Sequence, residues 1–100
     1  MKYYILNGTF RPDRPEGPAF KAALDAHHGY LAPMVASGKI LVSGPKPGGG
    51  GVILLKAEDM DEVQAIIAGD PFVVRGVQTY DVAEFKPVYV QPEVKEWFSA

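Results

Sequence analysis

An α+β domain with the element order β-α-β-β-α-β is predicted by three features of the sequence. Four short runs are rich in Tyr, Ile, Val and Leu, two longer segments carry apolar residues at helical intervals, and Gly or Pro marks the junctions between them. The chain has 100 residues, which suits one domain, since two would each hold about 50 residues and too little core. A single domain over residues 1–100 is therefore expected, with a core over about 1–87 and a tail over 88–100.

Composition narrows the function. Hydrophobic residues make up 47% and charged residues 22%, the balance of an ordinary globular protein rather than a disordered or fibrous one. With 10 Lys+Arg against 12 Asp+Glu the net charge is −2, which offers no basic footprint for nucleic acid or an anionic membrane. The absence of cysteine excludes disulfides, thiol catalysis and thiolate metal sites. No apolar run approaches the roughly 20 residues of a membrane span. The first seven residues turn polar too soon for a signal peptide, so a cytoplasmic location is expected.

Residues 2–7 are aromatic and β-rich and stop at Gly8, giving the first strand. Residues 11–18 contain Pro12, Pro15 and Pro18, whose missing donors make this a loop that presents Arg11 and Arg14. Residues 20–37 have helical spacing, with Gly38 placed just past the end. Pro33 removes a bond to the carbonyl of Gly29, so a kink or break is expected between them. Residues 39–43 form a second strand closed by Gly44-Pro45, and residues 52–56 a third. The glycine-rich link between them reads as a flexible hairpin tip. Asp59 caps a second helix, Glu62 completes a capping box, and Met60, Val63, Ile66 and Ile67 supply the apolar stripe up to Gly69. Residues 77–85 are the fourth strand, and the tail carries Val88, Tyr89, Val90, Trp97 and Phe98.

With right-handed crossovers this order puts both helices on one face of a four-stranded antiparallel sheet, the ferredoxin-like arrangement. The other face is equally apolar and has nothing in the chain to cover it. A second subunit is the simplest cover, with the apolar tail adding to it, so a homodimer is expected.

Residues able to do chemistry are few. His27 and His28 are adjacent, and side chains about 100° apart on a helix can neither both face the core nor chelate one metal. With Phe20 at zero, Leu24, Leu31 and Met34 fall within about 40° of it and His27 at about −20°, while His28 falls at about 80°, on the margin of the stripe. A half-buried imidazole needs a partner for at least one nitrogen. A backbone carbonyl is one candidate and Asp70 is the other. Asp70 follows Gly69 and precedes Pro71, which holds it extended. Alone, an Asp-Pro pair starts a turn; here the two helices lie side by side, so a carboxylate just past the second can approach a histidine on the first. Paired, Asp70 would orient the imidazole and favour its protonated form, making His27 a general base.

The hydroxyl of Ser43, at the end of the second strand, can bond a ligand but has no visible base or oxyanion hole to make it a nucleophile. The glycines at 48–51 lead into a strand rather than a helix, unlike a phosphate loop. Asp25 and His28 stand at i,i+3, but carboxylate metal sites need several such pairs, and no metal is expected. Arg11 and Arg14 can hold an acidic ligand or simply lie in solvent.

Taken in order and spacing, His27 with Tyr30-Leu31, Gly38-Lys39-Ile40-Leu41, Ser43-Gly44-Pro45 and Asp70-Pro71-Phe72 resembles the YCII-related (YciI-like) proteins, from the first strand to about Lys86. The tail lies outside the resemblance. The resemblance implies a ferredoxin-like protomer, a dimeric α/β-barrel in which two sheets pack together, and a His–Asp pair in a pocket. That pair is His27 and Asp70 here, since His27 sits eleven residues before Gly38 as the family spacing asks. It further implies proton transfer without a cofactor on a small cyclic or aromatic molecule, of lyase, isomerase or dehalogenase type. Family members often carry an arginine three residues before that histidine, where this chain has Leu24. Its loss bears on acidic substrates unless Arg11 or Arg14 replaces it from the loop. Two function classes follow. One is an enzyme in which His27 moves a proton, Asp70 orients it, and Ser43, Arg11 and Arg14 bind substrate. The other is a non-enzymatic dimeric module that binds a small ligand or serves as an accessory; cofactor-free oxygenation is a third possibility on this architecture.

Overall fold

The computed structural model describes residues 1–99; Ala100, the last residue of the expected tail, lies outside the described residues. The elements are β1 (Lys2–Phe10), α1 (Gly17–Ala36), β2 (Ile40–Pro45), β3 (Gly51–Ala57), α2 (Met60–Gly69), the four-residue α3 (Pro71–Val74) and β4 (Gln78–Phe85). All strand pairs are antiparallel and the sheet order is β2-β3-β1-β4, the ferredoxin-like topology.

Strand alternation decides what the helices cover. Tyr4 and Leu6 point toward them and are 0% and 1% exposed, while Tyr3 and Ile5 point to the opposite face. Tyr4 lies opposite Leu55 and Glu84, and Leu6 opposite Ile53 and Val82. These inward residues close on Leu31 from α1 and Val63 from α2 to form the main core. A smaller cluster of Ala23, Phe72 and Val77, with Phe10, Phe20 and Leu24 against it, lies nearer α3.

The helix α1 runs unbroken through Pro33, against the expected kink or break. Gly29 and Pro33 are both exposed, so the carbonyl left without its donor is open to water. Its first turn also takes in Pro18, where a missing N–H costs nothing. The helix closes with N–H bonds from Gly38 and Lys39 to the carbonyls of Val35 and Met34. At the start of α2, Asp59 accepts from the Glu62 N–H as expected. The Glu62 carboxylate accepts from the N–H of Glu58, one residue upstream of its expected capping-box partner, and also pairs with Lys39 at the end of α1.

The glycine tip is folded down rather than free. Gly50, at φ +79°, packs on the carbonyl of Gly8, and any side chain there would run into that oxygen. The Lys46 N–H bonds the Gly50 carbonyl, and its ammonium reaches the side chain of Asn7 at 2.6 Å.

Beyond β4 the chain turns back over the open face of the sheet. The rings of Trp97 and Phe98 pack on Tyr3, with centroids 5.6 and 5.1 Å away. Tyr3 Oη donates to the Phe98 carbonyl at 2.5 Å, Lys56 Nζ to that of Trp97 at 3.0 Å, and Trp97 Nε1 to that of Gly38 at 2.6 Å. Ile5 and Val42 on the same face remain 39% and 60% exposed. Among the described residues, no helix is long and apolar enough to cross a membrane.

Candidate active site

Asp70 closes α2 and opens α3. Pro71 restricts it to an extended backbone, φ −67° and ψ 123°, and itself tolerates the first helical position, where no N–H is needed. The carboxylate, almost fully buried, receives three hydrogen bonds. The Phe72 N–H donates to Oδ1 at 2.9 Å, the Tyr80 phenol to Oδ2 at 2.7 Å, and His27 Nδ1 to Oδ1 at 2.7 Å. Three donors on one anion offset the cost of taking it out of water. A carboxylate only accepts, so Nδ1 of His27 carries the proton and Nε2 keeps its lone pair in the neutral ring. The imidazole is further held flat against Phe72, with centroids 4.1 Å apart and planes 7° apart.

Burial first, then the Asp70 carboxylate, hold the Tyr80 phenol far above its ordinary value of 10.0, with a smaller opposing effect from a hydrogen bond with Gln78. Tyr80 is thus a fixed donor. Tyr30 is raised in the same way, by burial and then by Asp70, and its phenol donates to the Ile66 carbonyl at 3.0 Å.

His27 forms part of the wall of a cavity of about 600 Å³ between α1, β2 and the sheet. The wall is mostly apolar, with Phe10, Phe20, Leu24, Leu31, Ile53 and Phe72, and its polar members are His27, His28, Ser43, Gln78 and Tyr80. Nε2 of His27 has no bond to another described residue and is the atom available to a molecule in this space.

Ser43 reaches the cavity through a bulge in β2. Ile40 lies opposite Leu55, but Val42 lies opposite Leu54 and Ser43 opposite Ile53, so Leu41 is an extra residue. Unbroken alternation would put Val42 on the cavity side; the bulge substitutes Ser43. The arginines go elsewhere. Arg11 Nε bonds Asp13 at 3.0 Å and holds that carboxyl below its ordinary range, while Arg14 lies over the Phe10 ring at 5.1 Å and donates to the Arg11 carbonyl. Neither is part of the cavity wall, and Leu24 is. Among the described residues, no group of three or more His, Asp or Glu side chains stands ready to hold a metal ion.

The structure therefore brings together His27, Asp70 and the cavity, places Ser43 on the wall, and leaves Arg11 and Arg14 in their loop. It adds Phe72, Tyr80 and Gln78, which sequence reasoning missed. Phe72 was signalled by its place two residues after an Asp-Pro, the position whose N–H an aspartate cap receives. Gln78 and Tyr80 share one side of β4 with Val82 and were hidden because that side reads as core.

A family model, that of the YCII-related domain, matches residues 1–86. No curated protein matches the sequence. Among solved structures, a 5-chloro-2-hydroxyhydroquinone dehydrochlorinase from Burkholderia phenoliruptrix, in complex with 2,5-dihydroxybenzoquinone, is 28% identical with a TM-score of 0.68, covering 84% of this chain and 93% of its own. A Thermus thermophilus protein, 16% identical with a TM-score of 0.55, covers 91% of this chain and 100% of its own and shares the fold.

Proposed function

The chain belongs to the YCII-related domain family, and on that footing we propose that it is a cofactor-independent enzyme acting on a small cyclic or aromatic molecule. Its chemistry is proton transfer of lyase, isomerase or dehalogenase type. The observation that carries this reading is the paired imidazole: Nδ1 tied to Asp70 at 2.7 Å, with Nε2 left to the cavity. Nε2 takes a proton from the bound ring, and the Asp70 carboxylate steadies the imidazolium that forms. In a dehydrohalogenation the electron pair left behind moves into the ring, and the halide departs with the pair of its own bond. In an isomerisation the proton returns to another carbon. The dehydrochlorinase from Burkholderia acts on a chlorinated, hydroxylated ring, and the aromatic wall here suits a flat molecule of that kind. Ser43 contacts the substrate from the rim; the loop arginines have no part in this mechanism.

The same proposal includes a homodimer formed through the open face of the sheet. Ile5, Val42 and Leu54 make an apolar strip there that stays partly exposed, and a second copy covering it would complete a dimeric α/β-barrel.

Chloride release from 5-chloro-2-hydroxyhydroquinone, followed with the wild type and His27→Ala, tests the enzyme reading. The variant should lose about 10²–10⁴-fold in rate. Equal rates in the two proteins would overturn it. Ring binding without turnover in both would favour the alternative, a non-enzymatic small-ligand-binding or accessory module.

A further inference from the structure

Three polar or charged side chains are buried among the described residues: His27, Asp70 and Gln78. The first two satisfy each other. Gln78, 1% exposed, lines the same cavity and enters no part of the proton-transfer scheme. Burying a carboxamide is costly unless both its ends find partners. The partner of the oxygen is explicit: the Gly51 N–H donates to Oε1 at 3.1 Å. A backbone N–H can only donate, so this bond settles which end of the amide is oxygen and turns the Nε2 donors the other way. Apart from an influence of the amide on the ionisation of the Tyr80 phenol, these donors are committed to no hydrogen-bond acceptor among the described residues. Room for this arrangement comes from Gly8, where a side chain would run into Oε1.

We propose that the Gln78 carboxamide is the polar anchor of the cavity, donating through Nε2 to an oxygen substituent of the bound ring. This rests on the reading of the cavity as a site for a small ring and specifies the class of ring. A donor set in an aromatic wall favours a ring carbonyl, hydroxyl or phenolate oxygen, because an alkyl group in its place leaves the N–H unpaired. The amide is uncharged, Leu24 is apolar, no lysine or arginine belongs to the wall, and Arg11 and Arg14 stand outside it. The substrate class is therefore an oxygen-substituted ring without a carboxylate.

Binding of hydroquinone and of p-xylene, matched in shape but differing in oxygen, tests the assignment by NMR titration of the full-length protein. In the wild type, hydroquinone should move the side-chain N–H signals of Gln78 downfield and p-xylene should not. In Gln78→Met the Kd for hydroquinone should rise about five- to tenfold, and that for p-xylene should stay within about twofold. Unmoved Gln78 signals in the wild type would overturn the assignment even where the variant fails to fold. So would a folded Gln78→Met that binds hydroquinone unchanged or loses both ligands equally. A wild type that binds neither ring would overturn the small-ring reading of the cavity, and this assignment with it.

Discussion

The rings of His27 and Phe72 lie face to face, 4.1 Å apart, while the backbone N–H of Phe72 holds the carboxylate that His27 bonds. One residue thus supports both members of the pair, the imidazole by its ring and the carboxylate by its main chain. The short α3 makes this possible, because capping that helix requires Asp70 to face back toward the N–H of Phe72.

The bond to Asp70 has a direct signature. Neutral His27 should be the Nδ1–H tautomer, read from its two ring ¹⁵N shifts, and Asp70→Asn should yield a mixture of tautomers. Turnover of a ring substrate should fall in that variant by about 10²–10⁴-fold. A wild-type ring found as the Nε2–H tautomer would contradict the arrangement.

Tyr80→Phe removes the donor to Asp70 Oδ2 and should destabilise the protein by about 1.5–3 kcal/mol at neutral pH, measured by urea denaturation. The folded phenol is raised above its ordinary value of 10.0, by burial and then by Asp70. Its contribution is therefore fully present below about pH 10 and is lost as pH rises toward the folded value, because only the unfolded phenol ionises. Between pH 7 and 11 the wild type should lose more stability than Tyr80→Phe. Parallel curves would show that this phenol does not titrate with unfolding.

Much of this was legible in the sequence, and the misses have physical causes. Strand and helix order followed from alternation and punctuation, and helical phase singled out His27 from His28. Tyr80 was not legible as a partner of Asp70, because a buried tyrosine on a strand looks the same whether its phenol meets a carboxylate or a carbonyl. The short α3 was not legible, because an Asp-Pro pair taken alone marks a turn as readily as it opens a helix. Pro33 suggested a break because sequence does not reveal that the orphaned carbonyl would face water. The glycine tip looked loose because its contact with Gly8 joins residues more than forty positions apart.

Glu62 ties α2 to Lys39, in the turn that follows α1. The N–H of Glu58, and then Lys39, hold its carboxyl below its ordinary value of 4.5. That stability is present above about pH 4.5 and is lost as pH falls through the lower, folded value. Glu62→Gln should cost about 1 kcal/mol or less at pH 7, and the gap from wild type should close by pH 3. A gap that persists at pH 3 would point to packing rather than charge.

Leu54 stands between Ile5 and Val42 on the uncovered strip of the sheet. Leu54→Asp should convert the proposed dimer to single chains in sedimentation at micromolar concentration, with circular dichroism retained. A wild type that already sediments as one chain would overturn the dimer.

An imidazole clamped at one nitrogen and pressed flat against a phenyl ring has a single free edge, and it cannot rotate to offer the other. A proton carried on that edge meets a bound planar ring from one side only. Where the carbon that receives it becomes tetrahedral, the product has one configuration, and hydrogen drawn from heavy water occupies one of two prochiral positions. Under the proposed proton transfer, the contact between His27 and Phe72 would in this way write handedness into the product of a flat substrate.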